Sequence, residues 1–364
     1  MPSYIHQSKS WPHFIWDEKK LLPLLAEVRH LQGYLMGKAS ILGFELKDST
    51  NLENLVQDVI QSSEIEGEHL NPKLVRSSIA IRLGLDNSGL EPSDRYIDGM
   101  VDMMLDATQN NNKLLHKERL FGWHSALFPG GRSGMIKIEA GCWRTGEMQV
   151  VSGPMGRERV HFQAPAPDRL EKEMKKFIRW FNSENVADPV LKAAVAHLWF
   201  ITIHPFDDGN GRIARAITDM QLSLSDGMNQ RFYSMSAQVK KEKKAYYSLL
   251  ERTQKGNLDI TDWVSWFLDC LKKAILSSSA IMDKVLRKHG FWAKNAVLVS
   301  NERQKKMLDK LLDGFKGHLT SSKWAKITKT SPDTALRDIN DLVKKGILKK
   351  AASGGRSTNY LLNM

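Results

Sequence analysis

Apolar residues recur at helical spacing along most of the chain. Leucines are spaced for a helix over 21–35, and Leu52, Leu55, Val56, Val59 and Ile60 form one stripe of a second helix over 51–65. Gly67 and Pro72 punctuate its end. Further helices are read over 74–85, 95–110 and 117–128, the last stopped by Pro129-Gly130-Gly131. Residues 135–163 change character. There Gly141, Gly146, Gly153, Pro154 and Gly156 surround two short β-type runs, Met148-Gln149-Val150-Val151 and Arg159-Val160-His161-Phe162, which predicts a hairpin. Helical spacing returns over 168–182, 190–203, 213–224, 240–254 and 260–280, and polar residues 295–303 read as a linker. The fold class is therefore mainly α, with one β-hairpin.

The last 60 residues have their own pattern. A helix over 302–313, a short helix over 321–327 and the turn Lys329-Thr330-Ser331 precede Pro332, which opens a helix running to Lys345. Gly346 ends it, and residues 347–350 and 359–362 suit two strands around Ser353-Gly354-Gly355-Arg356. That order is the one found in a winged helix-turn-helix, although many small helical domains share it. Net charge is +12 over 364 residues, and from Asn301 to Met364 fourteen Lys/Arg stand against six Asp/Glu. The asymmetry favours a polyanionic partner such as DNA through 301–364, with Arg337, Lys344, Lys345 and Arg356 as contacts to phosphates or base edges. A solvated lysine-rich surface or a docking module explains the same charge.

Bulk composition excludes little else. Hydrophobic residues make up 41% of the chain, enough for packed cores, and the length suits two or three domains. The longest apolar stretch, 193–203, is too short to span a bilayer. The opening Met-Pro-Ser-Tyr-Ile-His lacks the order of a signal peptide, and two cysteines form no metal or disulfide framework. A cytoplasmic location with no membrane partner is the expectation.

Candidate chemistry concentrates in residues 204–215, His-Pro-Phe-Asp-Asp-Gly-Asn-Gly-Arg-Ile-Ala-Arg, between an apolar helix and a second helix. Glycines at a helix start let backbone N–H groups close on an anion, which the helix dipole also favours. Two arginines add forks suited to phosphate oxygens. A carboxylate beside phosphates suggests Mg2+, and a histidine suggests a general base. The segment reads as a nucleotide polyphosphate site with its own base.

The same stretch resembles the signature of Fic-domain proteins, His-Pro-Phe-x-Asp/Glu-Gly-Asn-Gly-Arg-x-x-Arg, at every specified position. Gly141-Cys142-Trp143-Arg144-Thr145-Gly146 followed by a hairpin is similar to the family's flap region, and the Tyr246-Tyr247 pair also fits. The resemblance implies an all-helical Fic core over 110–280 with a β-hairpin flap, an N-terminal helical region over 1–109 and a winged helix over 295–364. It implies transfer of AMP from ATP to a Ser, Thr or Tyr hydroxyl of a protein, the chain itself included, releasing pyrophosphate. In that reading His204 takes the hydroxyl proton and Asp208 holds Mg2+ against the α- and β-phosphates. Asn210 with the amides around Gly209 and Gly211 forms the α-phosphate anion hole, and Arg212 and Arg215 engage the β- and γ-phosphates. Phe206 anchors the loop, and Asp207, at the variable position, faces solvent. The flap pairs with an extended target segment by strand addition. Arg159, Val160, His161 and Phe162 fall at its nucleotide-facing end, while Tyr246, Tyr247 and Gln254 line the adenine pocket.

Ser62-Ser63-Glu64-Ile65-Glu66-Gly67 matches the family's inhibitory motif, Ser/Thr-x-x-x-Glu-Gly/Asn, within a helix over about 51–67. The resemblance puts Glu66 at a helix end, paired with Arg215 in the fork meant for the γ-phosphate. Glu64 and Glu68 are nearby acidic competitors, but only Glu66 has Ser62 and Gly67 at the right offsets. Alternatives stay open. The Fic core serves equally as a sensing or self-modifying module of a DNA-binding regulator, or removes AMP with the help of the same glutamate. Relatives transfer other phosphate-containing groups, although the intact anion motif favours a triphosphate. The protein substrate is not legible, and a homodimer is in keeping with the family.

Overall fold

The computed structural model describes residues 3–85, 91–153, 156–183, 188–315, 317–351 and 358–363, with backbone only at 44 and 45. Two compact units divide the chain, Met1–Ser278 and Ser279–Met364. The fold is mainly α, with three small antiparallel pairs of strands among the described residues.

In the first unit α1 (Glu18–Ser40) starts where the Asp17 side chain accepts the backbone N–H groups of Lys19 and Lys20. α2 (Phe44–Ile65) begins well before the apolar stripe at 51, because its first turns carry Lys47, Asp48, Ser49 and Thr50, which show no apolar period. α3 (Pro72–Arg82), α4 (Arg95–Gln109) and α5 (Lys117–Leu127) are capped by Asn71, Asp94 and His116. β1 (Arg132–Ser133) pairs with β2 (Ile136–Lys137), strands too short for alternation to reveal. β3 (Gln149–Ser152) and β4 (Arg159–Gln163) form the expected hairpin, with a register shift between Val150 and Val151. Pro154 in its turn lies outside the described residues.

α6 (Leu170–Phe181), α7 (Pro189–Ile203) and α8 (Asn210–Asp226) follow, then α9 (Met235–Lys241), α10 (Lys243–Gln254) and α11 (Thr261–Asn295). The helix expected to stop at 280 continues to Asn295. α7 is buried on nearly every face and α8 buries thirteen of its residues. A helix apolar all round belongs at the centre of a unit, and these two pack against each other there. The sequence suggests a boundary near residue 110. Instead α2 packs on α3, α4, α8 and α9, and α4 on α5 and α8, so the N-terminal helices complete the same core. Behind α8 the buried Arg231 guanidinium donates to Asp219, while the Asp58 carboxylate of α2 accepts from Ser234. Burial and the neighbouring Asp219 charge push the Asp58 carboxyl up to about 8.

In the second unit α12 (Glu302–Leu312), α13 (Ser321–Thr328) and α14 (Pro332–Lys344) are capped by Asn301, Thr320 and Ser331. β5 (Leu348–Lys350) pairs with β6 (Tyr360–Leu362). Met307, Leu308, Trp324, Ile339, Leu342 and Leu348 form its core. Ser353-Gly354-Gly355-Arg356 lie outside the described residues. Lys345 is tied to Asp341 at 2.6 Å, whereas Arg337 and Lys344 are exposed on α14. Among the described residues no helix is long and apolar enough to cross a membrane.

Candidate active site

The site is the turn between α7 and α8. His204 caps α7 in the left-handed region, φ 51° and ψ 59°, a conformation that costs energy for a residue with a Cβ. Its ring Nδ1 lies 3.1 Å from the Ile201 carbonyl. A carbonyl only accepts, so Nδ1 carries the proton and Nε2 is left as the basic nitrogen. Burial pushes the imidazole below its usual pKa, with the Arg144 charge in the same direction; the Ile201 carbonyl, Glu66 and Asp208 oppose it.

Phe206 anchors the turn. It is fully buried, stacks on His124 at 4.2 Å between centroids and touches Trp143 at 5.0 Å. Asn210 closes the turn on itself: its Oδ1 accepts the Phe206 N–H at 3.0 Å and its Nδ2 donates to the Phe206 carbonyl at 2.8 Å. The Asn210 carboxamide is thus a clasp for the loop rather than a wall of an anion hole. Gly209 supplies the positive φ of 77° from which α8 departs. The first N–H groups of α8 have no partner within the helix, which suits them to an anion. Asp207 is half-buried, less open than its variable position suggested. Asp208 accepts from the Gly209 N–H and from the Ser133 hydroxyl.

Both arginines end on carboxylates from the end of α2. Arg215 donates through Nη2 to Glu66 Oε1 at 2.7 Å, and through Nε and Nη2 to the Ser62 hydroxyl and carbonyl at 2.8 and 2.9 Å. Gly211 permits this approach, since a Cβ there would lie 2.1 Å from Glu66 Oε1. Gly67, at φ 88°, turns the chain immediately after. Lys240 and Lys243 donate to the Glu64 and Ile65 carbonyls, filling the acceptor end of α2. Arg212 donates from one nitrogen to Glu68 Oε2 at 2.9 Å and to the Tyr96 hydroxyl at 2.5 Å, over the Phe128 ring. Sequence reasoning gave Glu68 no partner. The signal was present in the spacing: carboxylates flanking Gly67 face arginines one turn apart on α8. Glu64, the other competitor, pairs with Lys240 at 3.5 Å.

The hairpin is pinned to α10 by Glu251, another residue the sequence reading missed. Its carboxylate accepts from Arg159 at 3.1 Å, His161 at 2.7 Å and Lys255 at 2.7 Å. These hydrogen bonds, Lys255 first, hold the carboxyl down at about 2. Phe162 is buried, its ring against Tyr4 and His6, whereas Val160 is 40% exposed. Tyr246 and Gln254 sit in the core rather than on an open wall. The Tyr246 hydroxyl donates to His197, and Gln254 donates to Thr202. Tyr247 is 38% exposed.

Known proteins resemble this chain over the turn and beyond it. A model of the Fic/DOC family matches residues 114–222, and one described as a domain of unknown function (DUF4172) matches residues 4–85. The curated Protein adenylyltransferase Fic of Drosophila erecta is 27% identical over 234 residues, covering 61% of this chain and 41% of its own. That of Drosophila melanogaster is 27% identical with 42% of its length covered. The chain thus spans about two-fifths of the curated relatives it matches. A crystal structure of a Fic family protein from Desulfovibrio desulfuricans superposes with a TM-score of 0.52 at 20% identity, covering 94% of this chain and 95% of the other. A Fic domain containing signaling protein from Bacteroides thetaiotaomicron gives 0.52 at 18% identity, over 74% and 97%. At those identities the likeness is one of fold. With the complete motif on the turn between α7 and α8, the chain carries a Fic/DOC family domain over residues 114–222.

Proposed function

We propose that this chain is an autoinhibited protein adenylyltransferase that moves AMP from ATP to a Ser, Thr or Tyr hydroxyl of a protein, itself included. One observation carries the reading. A neutral histidine with its Nδ1 tied back sits beside a helix start whose two buried arginines are neutralised by Glu66 and Glu68. A site that the chain fills with its own anions is a site built for anions. The acceptor oxygen attacks the α-phosphorus while its proton passes to His204 Nε2. The bond from the α-phosphorus to the bridging oxygen breaks, and pyrophosphate leaves with its charge on Arg212 and Arg215. Removing Glu66 from the Arg215 fork is what admits the outer phosphates, and Glu68 on Arg212 restrains them less.

The residues present fit a magnesium ion shared with the nucleotide. Asp208 is one carboxylate with its side chain 43% exposed, and Mg2+ prefers one or two carboxylates plus phosphate oxygens and waters. Among the described residues no cluster of three or more His, Cys, Asp or Glu could hold a metal by itself. When bound, the ion draws charge from the phosphate oxygens.

The test is self-labelling with ATP carrying a label on its α-phosphate. Glu66→Gly labels strongly, wild type weakly, and the double variant with His204→Ala no more than wild type. Equal labelling of wild type and Glu66→Gly overturns the autoinhibition, and undiminished labelling without His204 overturns the base. Loss of label from modified wild type, dependent on Glu66, reassigns the site to AMP removal. A second reading rests on the exposed face of α14, where Arg337, Asn340 and Lys344 are open to solvent. There the second unit binds DNA, and a gel shift of the full chain at low and moderate salt checks it. No shift at low salt assigns the unit to protein docking.

A further inference from the structure

Arg144 is 2% exposed, yet each hydrogen-bond acceptor the structure gives it is a backbone carbonyl. Its Nε donates to His204 at 2.8 Å, one Nη to Gly146 at 2.6 Å and the other to Pro165 at 2.5 Å. Its own N–H donates to the Pro205 carbonyl at 2.9 Å. Gly146 lies three residues before β3 and Pro165 two residues after β4. One planar fork therefore ties both roots of the hairpin to the residue that bears the imidazole.

We propose that Arg144 is a positioning residue for the transfer reaction, setting the hairpin that receives the acceptor strand and the His204 turn in a single register. The inference rests on the adenylyltransferase reading above. The Glu147 and Asp207 carboxylates offset only part of the desolvation of this buried cation, and none of its hydrogen bonds goes to a carboxylate, so its use here is directional. A guanidinium sends donors along three fixed directions in one plane, which the point charge of lysine does not reproduce. The left-handed backbone of His204 also needs support, and the Nε bond grips the carbonyl of that residue. Acceptor and base come from separate segments, and a misplacement of about 1 Å can cost about 100-fold in rate.

The experiment compares Glu66→Gly with Glu66→Gly/Arg144→Lys in full-length protein. It measures the single-turnover self-labelling rate at saturating ATP, the Kd for ATP and the melting temperature. The lysine variant keeps the charge and loses the fork. The labelling rate falls about 10- to 100-fold while the ATP Kd stays within about twofold, because Arg144 touches the turn and the hairpin, not the arginine forks. A labelling rate within about twofold of the parent overturns the proposal, as does a rate loss matched by an equal loss of ATP affinity. Should Arg144→Lys fail to fold, Arg144→Gln, with two amide donors and no charge, takes its place under the same criteria. If Glu66→Gly alone transfers no label, the adenylyltransferase reading has failed, and the positioning inference fails with it.

Discussion

The turn that carries His204 and the hairpin over 149–163 are both connections between helices, but they are held in opposite ways. In the turn, Phe206 and Asn210 are buried, each polar atom of the Asn210 carboxamide has a backbone partner, and α7 and α8 on either side are almost wholly interior. The hairpin has two strands, mostly exposed, fastened at its roots by Arg144, along β4 by Glu251 and at Phe162 by aromatic packing. The turn holds reacting groups to fixed distances, which chemistry requires. The hairpin is a two-stranded sheet, and under the proposed function its edge is what a protein segment would join by strand addition.

Breaking the turn has the largest expected effect. His204→Ala in the Glu66→Gly background lowers the self-labelling rate by about 100- to 10,000-fold, the range for removing a general base. Labelling by gel and intact mass checks it, with melting unchanged to show that the fold survives. Next is the contact that fills the turn. Glu66→Gly raises labelling about 100-fold over wild type, the cost expected of an α-phosphate held out of line. Glu68→Gln raises it less, because Tyr96 still occupies Arg212. Equal gains from the two substitutions would make the forks equivalent and remove Arg215 as the contact point. Stability separates the two regions as well. Phe206→Ala costs about 3–5 kcal/mol through the cavity it leaves, whereas Val160→Ala, 40% exposed, stays within about 0.5 kcal/mol, both read from chemical denaturation.

The same contrast governs what was legible in the sequence. The turn could be read because its residues are contiguous and its chemistry is local; His204, Gly209 and Gly211 stand where the motif put them. The Glu66–Arg215 pair, 149 residues apart, was readable only through the resemblance to the family's inhibitory motif and is the exception among long-range contacts. Asn210 is the instructive departure: a carboxamide beside phosphate-binding glycines suggests a ligand, but four residues after Phe206 it is also at the right offset to clasp that backbone. Other contacts that close across long sequence distances were not legible. Glu68 meets Arg212, Glu251 meets the hairpin, and Tyr246 turns its hydroxyl inward to His197, each set by packing rather than by period. The N-terminal helices likewise read as a separate region, because an amphipathic stripe says that a helix has a partner without saying which.

The smallest expected effect concerns the hairpin alone and uses pH to keep it apart from the turn. Glu251 is held at about 2 by Lys255, His161 and Arg159. A carboxylate depressed in the folded state contributes its stabilisation above its unfolded value, 4.5, and loses it only as pH falls toward 2. Over pH 5–8 the Glu251 carboxylate therefore stays charged. His204 is depressed as well, but by burial, and its loss falls in a different window: the base is lost on protonation below its usual 6.5. In the Glu66→Gly background the labelling rate should show an acid limb below pH 6.5. Glu251→Gln should leave that limb in place and weaken acceptor binding only a few-fold, since partly exposed pairs contribute about 0.2–1 kcal/mol each. An acid limb that moves with Glu251→Gln would mean that the hairpin and the base titrate as one unit. The functional division between a fixed turn and an adjustable edge would then have to be given up.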